Sequence, residues 1–180
     1  MADIISSRFA SPRLKARPSE TEPEGEELRY DLIELLFFAY RDFVGEADSV
    51  LAEYGFWRAH HRVLHFVHRN PGIRVAELLG ILQITKQSLG RVLKELVDKG
   101  YIEQRTGAED RRQRLLYATE AGHALAYKLS SLQDARISAA LAELGPEAAE
   151  TARIFLTSLV NADERASVAR LTRRPSGPTE

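Results

Sequence analysis

The chain of 180 residues has no cysteine, and its one methionine is Met1. Disulfides, thiolate metal sites and cysteine-based peroxide sensing are therefore excluded, and thioether sensing has no residue to work with. No apolar run approaches the roughly 18 residues of a membrane span. The start, MADIISSRFASPRLKARPSE, lacks a continuous apolar core and a cleavage-like site, so it does not read as a secretory signal. The expectation is a cytoplasmic protein with no membrane association. Also missing are a glycine-rich phosphate loop and a nucleophile elbow, so nothing points to an enzyme and no cofactor is called for. The net charge is only −1, so an electrostatic partner has to be sought in local patches.

What is present is ordinary for a globular protein: 44% hydrophobic and 28% charged residues. The order of the chain is more telling. Residues 1–27 carry four basic residues (Arg8, Arg13, Lys15, Arg17) and then five glutamates broken by Pro18, Pro23 and Gly25. This composition predicts a disordered tail. Residues 28–47 repeat Leu28, Leu32, Leu35, Leu36, Ala39, Phe43 and Ala47 at helical spacing, and Ile33, Phe37, Phe38 and Tyr40 widen the apolar surface. A helix this apolar needs cover on more than one side. A linker or short helical turn is expected at 48–55, followed by a helix over 56–69 that Asn70-Pro71-Gly72 ends. Trp57 is expected to pack near the junction of the winged domain and the dimer region.

Residues 75–118 organise the rest. Val75, Leu78, Leu79 and Leu82 give a short helix. Thr85 is positioned as the N-cap of a second helix, with Leu89, Val92, Leu93, Leu96 and Val97 as its buried stripe and Gly100 as its stop. The opposite face offers Lys86, Gln87, Ser88, Gly90, Arg91 and Lys94. Small and polar residues at a helix N-terminus suit approach to base edges in a major groove. A strand opening at Tyr101-Ile102 and another over Gln113–Ala118 enclose a charged hairpin tip, TGAEDRR. Arg111 and Arg112 there are placed to enter a minor groove. Between Thr85 and Arg114 eight Lys/Arg face five Asp/Glu, a local positive excess that suits a phosphate backbone. Taken by itself, this spacing leaves DNA binding and protein binding equally open.

A helix over 119–143 follows, N-capped by Thr119 with Glu120 in its first turn. Gly145-Pro146 stops it, and one further helix is expected from 147 to about 168. Residues 169–180 are basic, then rich in Pro and Gly, and read as a flexible tail. The last helices and the first have apolar faces with nothing large to cover inside one subunit. That predicts a twofold-symmetric homodimer.

The stretch AELL at 76–79 with ITKQSLGRVLKELVDKGYIEQR at 84–105 resembles the winged helix–turn–helix of the MarR (multiple antibiotic resistance regulator) family. Asp110-Arg111-Arg112 matches the Asp-x-Arg wing signature. Tyr117 to Gly122 is similar to the Leu-Thr-x-x-Gly that starts the family's next helix, with Ala118 in place of Leu. The likeness spans roughly residues 28–162. It implies a mainly α fold with a small β-wing, in which residues 56–118 are the DNA-binding domain and 28–55 with 119–168 form a helical dimerisation region. It implies a regulator that binds double-stranded DNA at a pseudo-palindromic operator and acts as repressor or activator. Lys86 to Arg91 would belong to the DNA-reading helix, Arg112 would enter the minor groove and Asp110 would hold the wing tip. Lys94, Arg105 and Arg111 are assigned to phosphates, as is Lys99 unless it caps a helix end. A small aromatic or anionic effector would sit in a cleft beside His61, Arg62 and His65. His61, His65 and His68 share one helical face, which also makes them candidate metal or haem ligands. Two rival readings remain: a winged domain that engages a partner protein without reading DNA, and a metal- or haem-responsive regulator built on that histidine face.

Overall fold

The computed structural model describes residues 28–107 and 113–172. The expected tail at 1–27, the expected C-terminal tail from residue 173 onward and the hairpin tip with Asp110, Arg111 and Arg112 lie outside the described residues; residues 169–172, expected to belong to that flexible tail, are helical instead. The elements run α1 Tyr30–Glu53, α2 Arg58–Arg69, β1 Ile73–Arg74, α3 Val75–Leu82, α4 Lys86–Asp98, β2 Ile102–Thr106, β3 Arg114–Ala118, α5 Glu120–Leu144, α6 Ala148–Leu159 and α7 Arg165–Thr172. The fold is mostly helical, with one antiparallel sheet in the order β1-β3-β2. Leu116 is its centre, paired with Ile73 on one side and Gln104 on the other.

The core is built where periodic apolar faces converge. Val63, Leu64 and Val67 of α2 meet Leu78 and Leu82 of α3, Leu89, Leu93 and Leu96 of α4, and Ile73, Ile102 and Leu116 of the sheet. Leu125, Ala126 and Leu129 close it from α5, and Ala47 and Leu51 from α1. Only the base of the sheet is buried. From Gln104 to Thr106 strand β2 is exposed.

One side chain organises the passage from sheet to α5. Thr119 accepts the Gly122 N–H (3.1 Å) at its hydroxyl, donates that hydroxyl to the Gly100 carbonyl (2.7 Å), and gives its own N–H to the Tyr101 carbonyl (3.1 Å). The first turn of α5 thereby lies hard against Tyr101. A Cβ at position 122 would fall 2.0 Å from the Tyr101 carbonyl oxygen, so only glycine permits the approach.

Three further sequence expectations are corrected, and one strand is added. No linker occupies 48–55: α1 runs unbroken to Glu53, because Ala47 and Leu51 continue its buried stripe. The final helix is two. Val160 turns extended (ψ 139°), and the Arg165 guanidinium bonds the Val160 and Ser158 carbonyls at 2.9 and 2.8 Å, replacing the lost helical partners. Trp57 does not pack at a junction. It flanks the start of α2 and is 69% exposed. Ile73 is part of a third strand, which its two-residue length concealed in the sequence.

From Tyr30 to Asp42 every residue of α1 is exposed. So are Ile137 and Leu144 of α5 and Ile154, Phe155, Leu156 and Leu159 of α6. Ion pairs join α1 to its neighbours, Arg136 with Glu46 and Arg58 with Asp48. Among the described residues nothing covers the aromatic and leucine-rich surface beyond them.

Candidate nucleic-acid interface

Helix α4 is fixed on its inner side and open on its outer side. Thr85 caps it, accepting the Ser88 N–H at 3.1 Å, and its hydroxyl also meets the Ser88 hydroxyl at 2.9 Å. Leu89, Val92, Leu93 and Leu96 anchor it in the core. A polar tie adds orientation. His60 of α2, 3% exposed, has Nε2 at 2.9 Å from Glu95 of α4, while its Nδ1 accepts the Trp57 N–H at 3.1 Å. Since Nδ1 is an acceptor, the ring proton sits on Nε2 and is donated to the carboxylate. Phe56 stacks on the same ring at 4.8 Å. Sequence reasoning missed this tie. Its only trace was a carboxylate, Glu95, flanking the apolar stripe of α4.

Outward, Lys86, Gln87, Ser88, Gly90, Arg91 and Lys94 are all exposed. Lys86 and Arg91 have no ion pair among the described residues. Lys94 is paired with Asp98 one turn on, which raises its pKa through the hydrogen bond and the carboxylate charge. Gly90 faces open space: an added Cβ would meet nothing within 4 Å. On the wing, Arg105 lies 4.4 Å over the Tyr117 ring and pairs with Glu103. Lys99, the alternative phosphate ligand, is otherwise engaged. Its ammonium donates to the Tyr54 carbonyl (2.8 Å) at the end of α1 and lies over Phe56, so the end it caps belongs to the first helix and not to its own.

The histidine face of α2 separates into distinct environments. His61 is 7% exposed, and burial lowers its pKa, opposed in part by the nearby Asp48 carboxylate. His65 is half-buried. Burial, reinforced by His61, Arg69 and His68, lowers its pKa to about 4. His68 stands 2.7 Å from His123 of α5, Nδ1 to Nδ1, so one ring donates and the other accepts. Burial and then His123 lower its pKa. Among the described residues no three His, Cys, Asp or Glu side chains converge as metal ligands. Arg62 points away from this face and donates to the Leu82 carbonyl at 3.2 Å, closing the end of α3. Asp48 gives one carboxylate oxygen to Arg58, while the other, Oδ1, is buried without a hydrogen-bond partner.

No described helix is long and apolar enough to cross a membrane. Residues 54–113 match a family model described as the MarR family. The chain is 43% identical over 129 residues to the HTH-type transcriptional regulator PetP of Rhodobacter capsulatus, covering 72% of this chain and 78% of that one. Among solved structures, the MarR crystal structure superposes with a TM-score of 0.59 at 22% identity, covering 84% of this chain and 98% of that one. Streptococcus pneumoniae FabT in complex with DNA superposes with a TM-score of 0.65 at 18% identity, covering 72% and 93%.

Proposed function

The chain belongs to the MarR family of winged helix–turn–helix transcription regulators, and on that premise we propose that it works as a homodimer reading a pseudo-palindromic DNA operator. The observation that carries this reading is the division of α4. One face is locked by four buried aliphatics and the His60–Glu95 bond, and the other presents Lys86, Gln87, Ser88, Gly90 and Arg91 to solvent. A rigid inner face holds the outer one in a fixed register, which groove recognition needs. Gln87 and Arg91 are assigned to base edges. Lys86 and Arg105 are assigned to phosphates, with Lys94 contributing once it exchanges Asp98 for a phosphate. Arg112 and Arg111 of the wing tip extend the contact, with Asp110 holding the tip.

The dimer rests on the uncovered surfaces of α1, α5 and α6. Leu35, Phe37, Phe38, Phe155 and Leu156 are each half or more exposed, a concentration of apolar area that single-chain proteins seldom present to water. Two copies would set their reading helices about 34 Å apart, in successive major grooves.

A small-molecule effector bound between α1 and α2 would shift that spacing. The unpartnered Asp48 oxygen beside His61 favours a ligand that donates a hydrogen bond over the anionic ligand expected from sequence, since Arg62 is directed elsewhere. Titration of the protein with amine and carboxylate aromatics, followed by melting, separates the two.

The test of the main reading is binding to duplexes selected from a random pool. Arg91→Ala should weaken selected-site binding by tenfold or more, and Gln87→Ala should relax base preference. Selection that enriches no sequence, from protein shown to be folded, overturns it.

A further inference from the structure

Helices α1 and α4 have separate tasks in the reading above, yet their C-terminal ends are joined. Helix α1 ends at Glu53, and an elbow of four residues, Tyr54 to Trp57, turns the chain into α2. The elbow bends through Gly55 at φ +65° and returns the Phe56 N–H to the Leu51 carbonyl at 3.0 Å. Two side chains of α4, one turn apart, grip it. Lys99 donates its ammonium to the Tyr54 carbonyl at 2.8 Å and lies 4.5 Å over the Phe56 ring. Glu95 receives the His60 Nε2 proton at 2.9 Å, while His60 Nδ1 accepts the Trp57 N–H at 3.1 Å. One residue of α4 thus holds the start of the elbow and the other, through His60, its end. Phe56, 1% exposed, is stacked on His60 and edge-on to Tyr101, whose ring also meets Tyr54 edge-on. Gly55 leaves little slack, since an added Cβ would stand 3.1 Å from the Lys99 ammonium. Four buried aliphatics already anchor α4 in its own core, so what this polar grip adds is orientation against α1.

We propose that Glu95 and Lys99 are positioning residues that fix the angle between the reading helix and the dimerising helix α1, and so set the geometry in which two reading helices meet one operator. The proposal rests on the dimeric DNA-binding reading above. Lys99 then acts on DNA without touching it, in place of the phosphate contact that its charge suggested. From Gln87 to Lys99 α4 advances about 18 Å, so a swing of about 3° at the elbow moves Gln87 by about 1 Å. One reading helix on one half-site tolerates that swing, because the rest of the protein shifts with it. Two helices on one palindrome do not, since the second engages readily only if the first leaves it in place.

The experiment titrates the full chain against a palindromic duplex selected by the native protein and against a duplex carrying one half-site, at about 50 mM salt to strengthen single-site binding. Glu95→Ala with Lys99→Met removes both grips and one charge of each sign, so the long-range attraction to DNA is unchanged. It should bind the palindrome at least tenfold more weakly and the half-site like the native chain. Gly55→Ala crowds the Lys99 ammonium and strains the elbow without altering α4 or any charge, and should show the same pattern. Lys99 is exposed, so Lys99→Met alone stays folded, and its ratio of palindrome to half-site affinity should fall in the same direction. Glu95→Gln with Lys99→Arg keeps an acceptor for His60 and a donor for Tyr54, and should bind the palindrome at least as tightly as the native chain. Equal losses on both duplexes, or no loss on either, beside a native protein that prefers the palindrome, overturn this proposal alone. A native protein with no preference for the palindrome over the half-site overturns the parent reading and this one together.

Discussion

Glycine in the middle of a recognition helix is costly, and position 90 gives the sharpest test of what that cost is for. Gly90 is exposed, lies inside α4 and has nothing within 4 Å of an added Cβ. In the isolated protein Gly90→Ala should therefore express the propensity difference alone, a gain of about 1 kcal/mol. For a chain of this size that is a rise of about 2–4 °C in melting temperature. On DNA the same methyl stands on the face assigned to the groove. If the helix backbone approaches the duplex there at van der Waals distance, the methyl forces a displacement. Overpacking of this kind costs about 1–3 kcal/mol per protomer, hence at least about tenfold in affinity for a dimer. Gly80→Ala, on α3 and also facing open space, serves as the comparison: a similar rise in melting, with affinity retained. Thermal melting and fluorescence anisotropy on a selected duplex suffice. A Gly90→Ala protein that melts higher and binds DNA as tightly as the native chain would refute the assignment of this face to the groove. One that melts lower would refute the claim that the position is unencumbered.

Three more outcomes are expected. Gly122→Ala must move the Tyr101 carbonyl away from a 2.0 Å clash, and the first turn of α5 with it. It should lose about 2 kcal/mol or more in urea unfolding despite alanine's better helix propensity. His65 has a folded pKa of about 4 against 6.5 when unfolded. The unfolded chain therefore takes up the proton first as pH falls. Its contribution is fully present above pH 6.5 and is lost on the way down to pH 4, by up to about 2 kcal/mol between pH 7 and 5. His61 and His68 shift in the same direction, so His65→Gln should flatten the acid side of the stability profile without abolishing its slope; an unchanged profile contradicts the burial argument. Phe37→Asp with Phe155→Asp alters side chains that are 69% and 50% exposed within one protomer. Light scattering should then show a monomer that keeps its helical circular dichroism, whereas a dimer of native stability would place the subunit contact elsewhere.

The reading helix was legible because its signals are local. Thr85, the stripe Leu89–Val92–Leu93–Leu96 and Gly100, which has φ +76°, each act within a turn or two of chain, and periodicity reports them directly. The exposed candidates Lys86, Gln87, Ser88, Gly90, Arg91 and Lys94 followed as the complement of that stripe. What failed depended on partners far along the chain. Trp57 is exposed because Phe56 and His60 take the inner positions beside it. Lys99 is drawn to the end of α1, 45 residues earlier. The break at Val160 is stabilised by Arg165, which no apolar pattern marks.

The amino-acid order alone settled the absence of sulfur chemistry, the caps Thr85 and Thr119, which face of α4 is inward, and the surplus of apolar surface on the first and last helices. These are properties of composition and of 3.6-residue periodicity, which need no knowledge of distant neighbours. Folding decided the rest. It took His60 to Glu95, turned Arg62 onto α3, set His68 against His123, and brought Glu164 to Gln83 across 81 residues of chain. Such pairings depend on how packed helices cross. Side chains that are interchangeable on a helical wheel acquire separate roles only once the core has fixed where each helix lies.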